Sequence, residues 1–274
     1  MTILSSRPVE WIGVLGIAAF LLGTLGVTYV ARRRCALPPE LSRKIMHLAL
    51  GASALAFPWL FHSSWPPIAI AAMTLGVLVL LRSGLLGTDA STVVHGVVRR
   101  SEGDLYFPLA AAVAFLLARG DATVYSIPIL TLTLADTVAA IVGRRFGRTR
   151  FPTLDHRARK SVEGSLAFFV VAFLVTYVPL SVLAGAPMKA LLIAAVFGIH
   201  VTVIEAASWR GLDNLFVPVA GLLLLRRLLS MDARSLTTLL IVTIALLMLL
   251  LSVWPSRLSR PQGTSALTRT RGIG

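Results

Sequence analysis

The chain has 274 residues, 56% of them hydrophobic and 14% charged, with a mean hydropathy of +0.83, which excludes an ordinary soluble domain and marks a multispan helical membrane protein. A net charge of +14 would suit nucleic acid, but the basic residues stand in short clusters between apolar runs, so anionic membrane lipid and nucleotide phosphate are the expected partners and nucleic acid is not. The single cysteine, Cys35, excludes an intrachain disulfide.

About nine apolar runs of near membrane-spanning length are read in chain order, at about 11–31, 45–61, 66–82, 105–118, 122–143, 163–184, 187–207, 213–229 and 235–254. The predicted fold is an all-α polytopic bundle. Arg32, Arg33 and Arg34 follow the first run instead of preceding it, so that run reads as an anchor and not as a cleaved signal. Before the second run, Arg43, Lys44, His47 and Gly51 share one helix face and form a polar stripe entering the membrane. Glu102 and Asp104 flank Gly103 ahead of the fourth run. In the fifth, Asp136 lies about two turns, roughly 10 Å, inside the point where the run ends at Gly143.

The loop that follows, 144–160, carries seven cations (Arg144, Arg145, Arg148, Arg150, Arg157, Arg159, Lys160) against one acid, Asp155. Ser161 and Glu163 open the sixth run, Glu205 ends the seventh, and Asp213 with Asn214 begins the eighth. With the N-terminus outside and nine spans, 20 of the 26 Lys and Arg fall on the cytoplasmic side, as the positive-inside rule requires. The expected organisation is one transmembrane catalytic domain over 1–256, followed by a disordered basic cytoplasmic tail over 257–274.

A basic loop alone serves to orient a membrane protein. An acid within the hydrocarbon costs a few kcal/mol, however, and Asp136, Glu163, Glu205 and Asp213 all fall at one membrane depth, which favours a site. Clustered cations and the N-terminus of the helix opening near Ser161 suit a polyphosphate. Acids such as Asp136 and Glu163 suit a divalent metal bridging its phosphates, and Gly143, Gly147 and Gly164 allow close backbone approach.

Taken together, Glu40-Leu41-Ser42-Arg43-Lys44 with His47 and Gly51, Glu102-Gly103 with Tyr106-Phe107-Pro108-Leu109, Asp136-Thr137-x-Ala139 with Gly143 and Gly147, Lys160-Ser161-x-Glu163-Gly164-Ser165, and Glu205 followed by Asp213-Asn214-Leu215 and Pro218 resemble the CTP-dependent polyprenol kinase family. That family includes dolichol kinases, phytol kinases and a diacylglycerol kinase, and is related to phosphatidate cytidylyltransferases. The resemblance covers about residues 40–220. It implies transfer of the terminal phosphate of CTP to the hydroxyl of a membrane-embedded alcohol such as phytol, a polyprenol, dolichol or diacylglycerol, with a divalent metal, Mg²⁺, required.

Under this reading Lys160 with Arg144 and Arg148 binds the donor phosphates. Asp136, Glu163 and Asp213 hold the metal or take the hydroxyl proton. Glu205 and Asn214 supply further contacts, and Arg43, Lys44 and His47 close the donor site or guide the lipid head; Glu102, Gly143, Gly147, Ser161 and Gly164 complete the expected binding set. The alternative activity is cytidylyl transfer to phosphatidate. It is weakened by the lack of the longer Lys-Asp, paired-Gly and Asp-Arg-x-Asp ending that those enzymes carry.

Overall fold

Proline, glycine and short polar caps decide where the apolar runs become separate helices. The computed structural model describes residues 7–83, 102–154 and 159–253. Helix α1 spans Arg7–Cys35, and α2, Pro39–Leu55, begins on a proline whose missing N–H is not needed in a first turn. Pro58 has no N–H to continue the ladder, so α2 breaks at Ala56 and a single turn, α3 (Phe57–Leu60), follows. The expected second span at 45–61 is therefore an earlier helix with a broken end, and Arg43 and Lys44 lie on the helix proper.

Next come α4 (Trp65–Ser83), α5 (Gly103–Ala118) and α6 (Ala122–Arg145), the last capped by Asp121, which accepts the Val124 N–H at 3.0 Å. The basic loop holds a two-stranded antiparallel ribbon, β1 (Arg150–Pro152) with β2 (Arg159–Ser161), a small departure from the all-α expectation. Ser161 then caps α7 (Val162–Ala184) by accepting the Gly164 N–H at 3.1 Å. Helices α8 (Pro187–Ala207), α9 (Asp213–Leu229) and α10 (Ala233–Val253) complete the described chain. The tail 257–274, the 84–101 segment and Asp155, His156 and Arg157 lie outside the described residues.

Every expected run has a helical counterpart, and the chain is an all-α polytopic membrane protein. Among the described residues, six helices, α1, α4, α6, α7, α8 and α10, suffice by length and composition to cross a bilayer. Helices α2 and α9 have 17 residues and α5 has 16, short of the ~20 that a straight span needs.

Helix α6 is central, packed against α2, α5, α7 and α9. Its Ile129, Leu132 and Ala135 are fully buried with Phe168 of α7, Phe197 of α8 and Leu222 of α9. Where α2 meets α6, a Cβ on Gly51 would stand 2.2 Å from the Thr133 hydroxyl, so the glycine sets the helix separation. Helix α10 lies outside α8, and α1 packs on α2 and α4 at the opposite edge.

Candidate active site

Alternating helix direction brings the starts of α2, α5, α7 and α9 to the same end of the bundle as the ends of α6 and α8. The contacts there join residues far apart in sequence. Lys44 of α2, 3% exposed, donates to the Asp136 carboxylate of α6 at 2.6 Å and to its carbonyl at 3.3 Å. His47, one turn further along α2, places Nε2 3.7 Å from the same carboxylate and 3.4 Å from the Leu132 carbonyl.

A second lysine is delivered by the ribbon. Phe151 and Lys160 are paired across β1 and β2, and Lys160 reaches Glu205 Oε1 at 2.6 Å and Asp213 Oδ2 at 3.4 Å, and also donates to the Glu205 carbonyl. Burial alone would push the Lys160 ammonium down, but Glu205 and Asp213 outweigh it and hold its pKa above the usual lysine value. Lys160 therefore stays charged at neutral pH. Arg43 lies within electrostatic reach of Asp136 and Asp213, and Lys160 of Asp136, so the two lysine–acid groups form one cluster.

Around it, the remaining expected residues fall into four settings. Arg144 pairs with Glu40 at 3.0 Å, and Arg43 pairs with the same carboxylate at 2.8 Å. Glu163 accepts the backbone N–H groups of Arg148 and Thr149 at 3.0 and 3.1 Å, fastening the ribbon to the start of α7, while its other oxygen is buried without a hydrogen bond. Gly143, Gly147 and Gly164 pack around Ser161: a Cβ on Gly147 would stand 2.1 Å from the Gly143 carbonyl, and one on Gly164 3.0 Å from the Ala139 carbonyl. Glu102 joins Arg210 at 3.2 Å and accepts from Tyr106 at 2.9 Å, and Asn214 donates to the Gly103 carbonyl at 2.7 Å. These last bonds tie α5 to the α8–α9 turn.

The expected metal set of Asp136, Glu163 and Asp213 is not gathered into one cage. Among the described residues, no three His, Cys, Asp or Glu side chains are grouped to hold an ion. A magnesium ion shared with phosphates needs only one or two carboxylates. Glu205 and Asp213 fit that lesser demand, since both face Lys160 and Glu205 Oε2 is buried without a hydrogen bond. Glu40 and Arg210 are members of the ion-pair shell that the sequence reading did not place in the site. Glu40 had a signal, an acid in the first turn of a helix starting at Pro39.

No family model matches the chain, and no solved structure matches it. It is 34% identical over 218 residues to a phytol kinase of Synechocystis sp., covering 78% of this chain and 90% of that one. It is 28% identical over 153 residues to phytol kinase 1, chloroplastic, of Arabidopsis thaliana (53% of this chain, 49% of that one). To the farnesol kinase, chloroplastic, of the same plant it is 29% identical over 170 residues (59% and 54%). The extent of the first match, with the expected blocks meeting at one end of the fold, shows that the chain belongs to the phytol kinase family of polyprenol kinases.

Proposed function

We propose that this chain is an integral-membrane kinase that transfers the terminal phosphate of CTP to the hydroxyl of an isoprenoid alcohol or similar lipid. The observation that carries this reading is the convergence of Lys44–Asp136 and Lys160–Glu205–Asp213 at one end of an otherwise apolar bundle. Names of relatives support phytol or farnesol as acceptor types and do not favour cytidylyl transfer. The donor base, the metal, the nine spans, the outside N-terminus and the cytoplasmic position of the site are parts of the proposal.

Phosphoryl transfer depends on positioning and charge neutralisation more than on covalent chemistry. Lys160, Arg43 and Arg148 neutralise the donor phosphates, helped by the positive end of α7. The alcohol oxygen forms its bond to the γ-phosphorus as the bond to the β-phosphate oxygen breaks, and CDP leaves with that electron pair. The hydroxyl proton passes to a carboxylate, for which Glu205 has the uncommitted buried oxygen. A divalent ion held by Glu205 and Asp213 would supply further neutralisation of phosphate charge. Purified protein incubated with phytol, Mg²⁺ and CTP labelled at either phosphate tests the reading. Label from γ-³²P CTP is expected in the lipid; label only from α-³²P CTP, with pyrophosphate released, would replace it by cytidylyl transfer.

A further inference from the structure

Beside the cluster an apolar groove runs down the bundle between α1, α2, α4 and α5, with an empty volume of about 1170 Å³, open mouth included. At the cluster end its lining is polar: Arg43, His47, Asp104 and Asn214. Away from it the walls are apolar, with Leu21 and Leu25 of α1, Leu50 of α2, Leu78 of α4 and Phe107 of α5. A narrower space of about 260 Å³, open sides included, continues the groove from Thr74 to Phe57 and Ala111. Its end is backed by aromatic rings: Phe57 packs on Phe61, Phe115 and Tyr125, and Tyr125 donates to the Ala54 carbonyl at 3.0 Å.

We infer that this groove holds the acceptor's hydrocarbon tail and selects a short isoprenoid over a long polyprenol. The inference rests on the lipid-alcohol kinase reading. Apart from Thr74 and, in the narrow part, Ser53, the polar lining is gathered at one end, and two of the residues there belong to the cluster: His47 faces Asp136, and Arg43 is in electrostatic reach of Asp136 and Asp213. A tail in the groove thus leaves its hydroxyl at the acids.

The dimensions argue for length selection. Along α4 the wide part runs from Leu81 to Ile70, about 16 Å at the helical rise. With carbon–carbon bonds of about 1.5 Å in zigzag, roughly a dozen backbone bonds cover that distance, the length of an isoprenoid of about three units. A fourth unit enters the narrow part where the two spaces overlap beside Ile70 and Thr74, and the aromatic rings stop anything longer from continuing in line. Thr74 lines both spaces, as do Leu21, Leu50, Ile70 and Phe107, and enlarging its small side chain narrows the junction, which makes it a specificity-determining position.

Two experiments on the full-length protein test this. The first uses a photoreactive fifteen-carbon isoprenoid alcohol, without nucleotide, with the labelled peptides identified by mass spectrometry. Labelling within α1, α2, α4 or α5, abolished by excess phytol, is expected. Labelling confined to α6, α7, α8, α9 or α10, or labelling that phytol does not displace, overturns the assignment. The second compares ten- and twenty-carbon alcohols as acceptors for Thr74→Trp. The ratio of kcat/KM values should shift about tenfold or more toward the shorter alcohol, the scale expected when a pocket loses room for a few methylenes. An unchanged ratio contradicts length selection whatever the absolute rate. Groove labelling in a protein that phosphorylates no alcohol would refute the kinase reading and leave the lipid site standing; turnover of alcohols with labelling elsewhere would do the reverse.

Discussion

Buried carboxylates at the two ends of this bundle are handled in opposite ways. Glu10, at the start of α1 and 1% exposed, accepts the backbone N–H groups of His62 and Ser63 at 3.1 and 2.9 Å and the Trp65 indole N–H at 3.0 Å. Both its oxygens are committed, all three donors are neutral, and the result ties α1 to the turn before α4. At the other end Asp136 and Glu205 face lysines, and Glu205 retains a buried oxygen with no hydrogen bond. A fully satisfied acid serves the fold, whereas one paired with a side-chain cation and left partly unsatisfied is ready to exchange partners with a ligand.

The largest effect should come from breaking the second kind. Lys160→Ala and Glu205→Gln are each expected to lower turnover at least ~10²-fold, the scale seen when a preorganised charge at a transferring group is removed. Rates measured on correctly inserted protein check this, and near wild-type turnover in either variant would move the site elsewhere. Lys44→Met should cost both activity and stability, since Asp136 is left buried without its cation, a loss of about 3–5 kcal/mol. Pairing it with Asp136→Leu should restore thermal stability but not turnover, which separates the pair's structural role from its functional one.

A smaller effect is expected from Gly147→Ala. The added methyl would collide with the Gly143 carbonyl, and relieving the overlap should cost about 1–3 kcal/mol and displace the ribbon that carries Lys160. Thermal unfolding in detergent checks the stability part. Least affected should be turnover in Glu10→Gln: stability falls by about 1–3 kcal/mol as charged hydrogen bonds weaken, while activity per folded molecule is unchanged.

What could be read beforehand follows the same division. Apolar runs and the helix start near Ser161 are local properties, and they were legible because period and end chemistry act within a few residues; Gly143, Gly147 and Gly164 were expected to admit a ligand, whereas they pack around Ser161. The early start of α2 and its break at Ala56 were also signalled, by Pro39 and Pro58, but the hydropathy of the run from 45 to 61 hides both. Pairings were not legible. Lys44 meets an acid 92 residues away and Lys160 one 45 residues away, and only the packing of α6 against α2 and of α7 against α8 decides those matches. The three-residue strands escaped because their basic sequence has neither the length nor the alternation that marks a strand. Glu10 was overlooked although an acid at the head of an apolar helix is a visible anomaly.

The most direct measurement sets the two ends against each other. Transfer of γ-³²P from CTP to phytol would be followed in wild type, Glu205→Gln and Glu10→Gln, with each rate normalised to folded, membrane-inserted protein. Glu10→Gln is predicted to match wild type and Glu205→Gln to fall at least ~10²-fold below it. Equal rates in all three, or a loss confined to Glu10→Gln, would contradict the assignment of phosphate transfer to the lysine–acid cluster.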